Sequence, residues 1–245
     1  MRLVQTRYLI LSVIFVFLIN KASSQAILPD STSLPAERSA ISLYSNTLNE
    51  QLHLYNGKEY TEYSHAFEEG QPYFISNYLT DGTVTYDGNT YNDVPLLYNV
   101  VTDDVIILAS NQVSKILLLK ERVTAFSLSG HTFRNMPADS LSENMRPGFY
   151  DILVAGKTGL VAKRSRLIES SVRQKVEYRI TQKDRLYIRK NNGYFAVSNK
   201  KTLLEQLGDK RKEIQQYIRK NKLKFRKEAE NTMVKTVEYY NQLIK

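Results

Sequence analysis

Few side chains in this sequence can move protons or hold metals. There are three histidines, His53, His65 and His131, and no cysteine. Without cysteine there is no disulfide framework, thiolate nucleophile or Cys-ligated metal. The histidines are not at metal-ligand spacing, and none has a base or nucleophile partner nearby in sequence. His131 follows Gly130 at a turn between two strand-like runs, where a structural role is expected. Asp103-Asp104 and Glu68-Glu69 are the acid pairs that a cation site or carboxylate chemistry would use. Both stand at chain breaks, where Asp favours turns by bonding its own backbone, so turn roles are expected.

Gly156-Lys157-Thr158-Gly159 contains the Gly-Lys-Thr of a phosphate loop. That loop needs a first glycine at position 151, with a helix after it. Position 151 is Asp and a strand-like run follows, so the nucleotide reading is rejected. No catalytic, cofactor or metal residue is assigned.

The strongest chemical signal is charge. Lys210, Arg211, Lys212, Arg219, Lys220, Lys222, Lys224, Arg226 and Lys227 fall close together, interleaved with Tyr217 and Phe225. They are the candidate contact residues for an anionic surface. The net charge of +9 hides a split: −8 over residues 25–150, +14 over 151–245 and +3 over the first 24. Such asymmetry predicts either a basic partner surface or two halves that attract each other.

The elements that would position these residues follow from periodicity. Ser33 and Pro35 open a helix whose face is Ile41, Tyr44, Leu48, Leu52 and Tyr55, and Asn56-Gly57 closes it. Residues 58–198 read as strands separated by turns. Tyr73 to Ile75 is a short candidate, and Asp87-Gly88 is the strongest hairpin signal in the chain. Further strands are expected at Val94–Tyr98, Val105–Ala109, Val113–Leu119, Val123–Leu128, Gly148–Val154, Leu160–Ile168, Val172–Ile180, Arg185–Arg189 and Tyr194–Val197. The Ile106 and Ile116 runs, apolar on both faces, predict covered central strands. Arg134–Pro147 reads as a polar loop. From Ser198 the period changes to helical, with Leu203, Leu204 and Leu207 in a helix stopped by Gly208. Asp209 is placed to cap a second helix carrying Ile214, Tyr217 and Ile218, and Ala229, Met233, Val237 and Tyr240 mark a third.

Residues 1–24 read as a secretory signal peptide: Arg2 and Arg7, an apolar run from Leu9 to Ile19, then Ala22-Ser23-Ser24. The apolar run falls well short of the roughly 20 residues needed to span a bilayer. Residues 25–245 form a single mature domain with no transmembrane segment. A secreted eukaryotic domain of this size usually carries disulfides. The sequence therefore points to the periplasm or surface of a bacterium, where nucleic acid is not an expected partner.

Five segments carry a resemblance: LYNGKEY (54–60), GTVTYDGNTYNDVPLLYN (82–99), VTAFSLSGHTF (123–133), GFYDILVAGKT (148–158) and the tail at 200–230. They resemble a family of uncharacterised exported proteins of Bacteroidetes-type bacteria, across nearly all of residues 25–245. The resemblance implies an envelope address and one cooperative unit. It brings no activity and no site residue.

The expected fold is α+β: an N-terminal helix, a large and mainly antiparallel meander sheet that curls or approaches a barrel, and C-terminal helices packed on or beside it. The first functional expectation is a non-enzymatic envelope protein that binds an anionic lipid surface or an acidic protein. Two alternatives stand beside it: a carrier of an apolar ligand in the curled sheet, and an enzyme whose carboxylates converge only in the fold.

Overall fold

The alternation of apolar and polar residues between Lys58 and Val197 folds into thirteen strands among the described residues. The computed structural model describes residues 53–172 and 175–245. The expected leader and the helix face at Ile41, Tyr44, Leu48 and Leu52 lie outside the described residues. His53 and Leu54 are helical, and Leu54 is buried in the core.

The strands are β1 (Lys58–Glu59), β2 (Thr80–Tyr86), β3 (Asn89–Asn99), β4 (Asp104–Leu108), β5 (Lys115–Leu117), β6 (Val123–Leu128), β7 (His131–Met136), β8 (Gly148–Val154), β9 (Gly159–Lys163), β10 (Arg166–Val172), β11 (Val176–Gln182), β12 (Arg185–Lys190) and β13 (Gly193–Val197). Eleven of them form one sheet in the order β1-β5-β4-β3-β2-β6-β7-β8-β9-β12-β13, and β10 and β11 form a separate hairpin. Every pairing between these strands is antiparallel. Three steps depart from simple neighbour-to-neighbour winding: β1 pairs with β5 rather than β2, the chain leaves β5 and returns to lay β6 beside β2, and β12 follows β9 across the β10–β11 excursion. The sheet stays open, with β1 and β13 at its two ends.

Turn chemistry explains much of this register. Asp87 and Gly88 both take positive φ (49° and 82°) between Tyr86 and Asn89, which are paired. Two consecutive left-handed residues make the turn whose twist matches the strands it joins. The Ser129-Gly130 turn between β6 and β7 also has both φ positive, and so does Asn191-Asn192 between β12 and β13. The Ser129-Gly130 turn lies one residue before the Gly130-His131 position expected from the sequence.

Four strand expectations are corrected. Tyr73–Ile75 makes only an isolated bridge, Tyr73 to Asn99, because Ile75 turns to φ 58° and ends the extended run. The Val113–Leu119 strand shrinks to Lys115–Leu117, since Gln112 is left-handed and Val113 is solvated. The first part of the Arg134–Pro147 loop belongs to β7, which runs on to Met136 against β8. The single strand expected at Leu160–Ile168 breaks at Arg164-Ser165, and its two parts, β9 and β10, join different sheets. As expected of a covered strand, Val105, Ile106 and Ile107 of β4 are all buried. β5, however, is second from the edge rather than central, shielded by β1.

The helices are α1 (Lys200–Gln206), α2 (Arg211–Lys220) and α3 (Ala229–Leu243). Asn199 starts α1 with a capping box shared with Thr202. Asp209 does not cap α2. It lies in the 3-10 turn Gly208–Lys210, and Lys210 stands at the cap position without a side-chain bond. The apolar faces of the helices cover one side of the β8-β9-β12-β13 end. There Leu203, Leu204, Leu207, Ile214, Ile218, Met233, Val237 and Tyr240 pack with Val154, Leu160, Ile188 and Val197.

Alternation along β9 and β12 sends Val161 and Tyr187 to a different cluster, with Met136, Met145 and Tyr150; in β8 a register shift between Ile152 and Val154 separates Tyr150 from Val154. The β2–β8 part has its own core, in which Tyr98, Phe126, Phe133 and Phe149 meet ring to ring.

Candidate functional site

The break between β9 and β10 centres on Arg164, whose side chain is only 8% exposed. A buried guanidinium must find acceptors for its donors. Three carboxylates from three elements supply them. Nε and Nη2 both donate to Oδ2 of Asp151 in β8, at 3.0 and 2.6 Å. Nη1 donates to Oδ2 of Asp184, just before β12, at 2.9 Å. Glu230 in the first turn of α3 takes Nη1 and Nη2 on its two oxygens, at 2.7 and 2.8 Å. Burial works against the charge on Arg164, but the bonds to Glu230 and Asp151 outweigh it and hold its pKa above the ordinary value. Asp151 is buried at 1% exposure and also meets Nδ1 of His131 at 2.8 Å.

Next to this network stands a second, centred on Asp103. Its carboxylate accepts the Tyr98 hydroxyl at 2.6 Å, Lys163 Nζ at 2.9 Å and the Phe149 amide at 3.3 Å. Lys120 approaches both Asp103 (3.7 Å) and Asp104 (3.3 Å). Burial lowers the pKa of Lys163, partly offset by Asp103. Burial, then the Asp103 charge, pushes the Tyr98 phenol well up. Asp103 has φ 61°, so the expected turn role holds, but the turn also delivers a half-buried acceptor. Gly148 permits the approach: at φ +126°, a Cβ there would lie 1.9 Å from Asp103 Oδ2.

The two networks lie along a cleft of about 680 Å³. It opens between the loop before β8 and the Lys183-Asp184-Arg185 segment, and Tyr150 and Tyr187 line it. The carboxylates do converge in the fold, as one alternative anticipated. Arg164, however, takes Oδ2 of Asp151, Oδ2 of Asp184 and both oxygens of Glu230, while Oδ1 of Asp184 accepts the Ser165 amide and Oδ1 of Asp151 is buried without a hydrogen-bond partner among the described residues. Among the described residues no group of His, Asp or Glu side chains is placed to hold a metal ion.

The other candidates scatter. His53 is exposed at the end of its helical turn. His65 stacks on Tyr178 at 3.8 Å beside Tyr63 and Phe67. Glu68 pairs with Lys175 at 2.6 Å, and the Glu69 carbonyl accepts the Ile180 amide, so this acid pair pins the chain to the β10–β11 hairpin. The Gly-Lys-Thr turn is a clamp. Thr158 is buried and exchanges two backbone bonds with the Asn241 side chain of α3, at 3.0 and 2.8 Å.

The nine tail cations sit together on α2 and the connector to α3. Arg211, Lys212, Arg219, Lys220, Lys222, Lys224, Arg226 and Lys227 are exposed, and none forms an ion pair among the described residues. Lys210, at the cap position before α2, is half-buried and 3.9 Å from Glu213 in the first turn of that helix. Among the described residues the tail cations therefore do not pair with the acidic half. Among the described residues the ion pairs between the halves are Lys163–Asp103, Lys175–Glu68 and His131–Asp151. Sequence reading missed Arg164 altogether. Its only signal was the pair of charges, Lys163-Arg164, that closes the otherwise apolar run LVAKR.

Among the described residues no helix is long and apolar enough to cross a membrane. Compared with known proteins, the chain matches no family, no curated protein and no solved structure.

Proposed function

We propose that this is an exported, non-enzymatic binding protein of a bacterial cell envelope, whose C-terminal helical segment makes an electrostatic contact with an anionic lipid surface. One observation carries the reading. Eight cations between Arg211 and Lys227 are solvated and form no ion pair among the described residues, while Ile214 and Ile218 are buried in the core and Leu223 and Phe225 pack against it. On α2, Ile214 and Ile218 face inward, and Lys212, Arg219 and Lys220 occupy the opposite side. In the connector, Leu223 and Phe225 pack inward while Lys222, Lys224 and Arg226 alternate outward. Unpaired like charges repel one another, and a polyanion relieves that repulsion by releasing its counterions. The stacked pair Tyr217–Tyr239, at 4.1 Å, adds half-exposed amphipathic rings suited to a headgroup layer.

The test is sedimentation with vesicles of anionic phospholipid, with and without lipopolysaccharide, over a salt series. The full chain is compared with a Lys220→Gln/Lys222→Gln/Lys224→Gln/Lys227→Gln variant. Binding that fades with salt and drops at least tenfold in the variant is the expected outcome. Salt-insensitive binding, or none to any anionic surface, would overturn the reading; capture by an acidic protein instead would move the contact from lipid to protein. The apolar-carrier alternative draws less support, because the cleft is lined by charge.

A further inference from the structure

The cleft beside the two ionic networks has an electrostatic imbalance that neither network accounts for. Its lining holds six cations, Lys120, Arg146, Lys163, Arg164, Lys183 and Arg185, against two carboxylates. Both carboxylates are already engaged. Asp103 is held by Tyr98, Lys163 and the Phe149 amide. Asp184 is held by Arg164, Gln182 and the Ser165 amide. Lys120, Lys163 and Arg164 are the partners in those pairs. Arg146, Lys183 and Arg185 are left, exposed and without an ion pair among the described residues.

These three project from backbones that the fold pins. Strand register sets Arg185 directly opposite Lys163, so two like charges stand side by side on one face. Lys163 is taken by Asp103; Arg185 is not. The Lys183 amide donates to the Ser165 carbonyl at 2.8 Å, which ties its segment to the β9–β10 junction. Across the cleft, the Tyr150 hydroxyl donates to the Arg146 carbonyl at 2.8 Å, and the Tyr187 hydroxyl reaches the Asn144 carbonyl at 3.4 Å. Both walls are thus anchored from the sheet floor beneath them. At about 680 Å³ the space falls within the roughly 300–1,000 Å³ of small-molecule sites.

We infer that this cleft is a binding site for a small phosphorylated ligand, held between Arg146 on one wall and Lys183 and Arg185 on the other. Two guanidinium forks and one ammonium lining the cleft from two sides suit a multiply charged oxyanion. The site is separate from the tail surface and does not depend on it.

The probe is inorganic pyrophosphate, titrated calorimetrically into the full chain, with inorganic phosphate and a phosphomonoester sugar as further arms. The expected result is saturable binding that weakens at least tenfold in Lys183→Gln/Arg185→Gln and in Arg146→Gln. The four-site tail variant should leave it unchanged. All three cleft residues are exposed, so the variants should fold, which circular dichroism and the unfolding midpoint check. No heat at millimolar pyrophosphate would overturn the inference. So would binding that survives the cleft substitutions and disappears with the tail charges. Stronger binding of the sugar ester than of pyrophosphate would identify a phosphomonoester ligand; the reverse would identify a diphosphate.

Discussion

At the scale of single residues, Arg164 has the largest consequence. Removing one member of a buried ion cluster strands the rest, and the cost is commonly about 3–5 kcal/mol. Arg164→Met should destabilise the chain by about that much in urea, because Asp151 is fully buried and would lose its strongest partner. Adding Asp151→Asn should recover part of the loss, since it removes the stranded charge. Gly148 is a second sensitive position. Gly148→Ala combines a left-handed backbone with a clash against the Asp103 carboxylate, and should cost at least about 1–3 kcal/mol in the same measurement.

At the scale of elements, the C-terminal helices are tied to the sheet by polar clamps as well as by packing. Asn199 caps α1 through the Lys201 and Thr202 amides, at 2.9 and 3.1 Å. Asn199→Ala should cost about 1 kcal/mol. Asp209 links three elements: Lys190 of β12 donates to it at 2.8 Å, and the Tyr240 hydroxyl of α3 at 2.9 Å. Desolvation pulls the Asp209 pKa up, but these two donors win and hold it below the usual carboxylate value. A group lowered on folding contributes stability above its unfolded pKa and loses it as pH falls through the folded one. The native chain should therefore lose part of its stability below about pH 4, and Asp209→Asn should flatten that limb of a stability–pH curve.

At the scale of the whole molecule, the tail does two separable jobs. Its apolar side belongs to the core. Eight buried residues between Leu203 and Tyr240 would be lost from a chain ending at Ser198. At about 1.5 kcal/mol or more for each, the loss is on the order of 12 kcal/mol, as large as the whole stability of a typical domain. Such a truncation should be unfolded or aggregated by circular dichroism and light scattering. The charged side contributes little to folding. Replacing Lys220, Lys222, Lys224 and Lys227 by Gln should shift stability by no more than about 0.5 kcal/mol per site, even as vesicle binding falls.

Local features were legible because local chemistry decides them. Asp87-Gly88 specifies its hairpin through two residues that tolerate positive φ, and the spacing of Leu203, Leu204 and Leu207 specifies a helix face whatever lies against it. The cationic run from Lys210 to Lys227 was visible as a run because its members are neighbours in sequence. Whether it faced solvent or the acidic half was decided only by packing, which turned the isoleucines of α2 inward and left the charges outside. The Arg164 cluster was invisible for a different reason. Its partners stand 13, 20 and 66 residues away, in β8, before β12 and in α3, and no periodicity connects them. Sequence alone determined the strand-and-helix class, the lack of cysteine chemistry and the concentration of positive charge at one end, all properties of neighbouring residues. Tertiary structure decided which charges were spent on the core and which stayed free, because a buried charge must find its partner in space rather than along the chain.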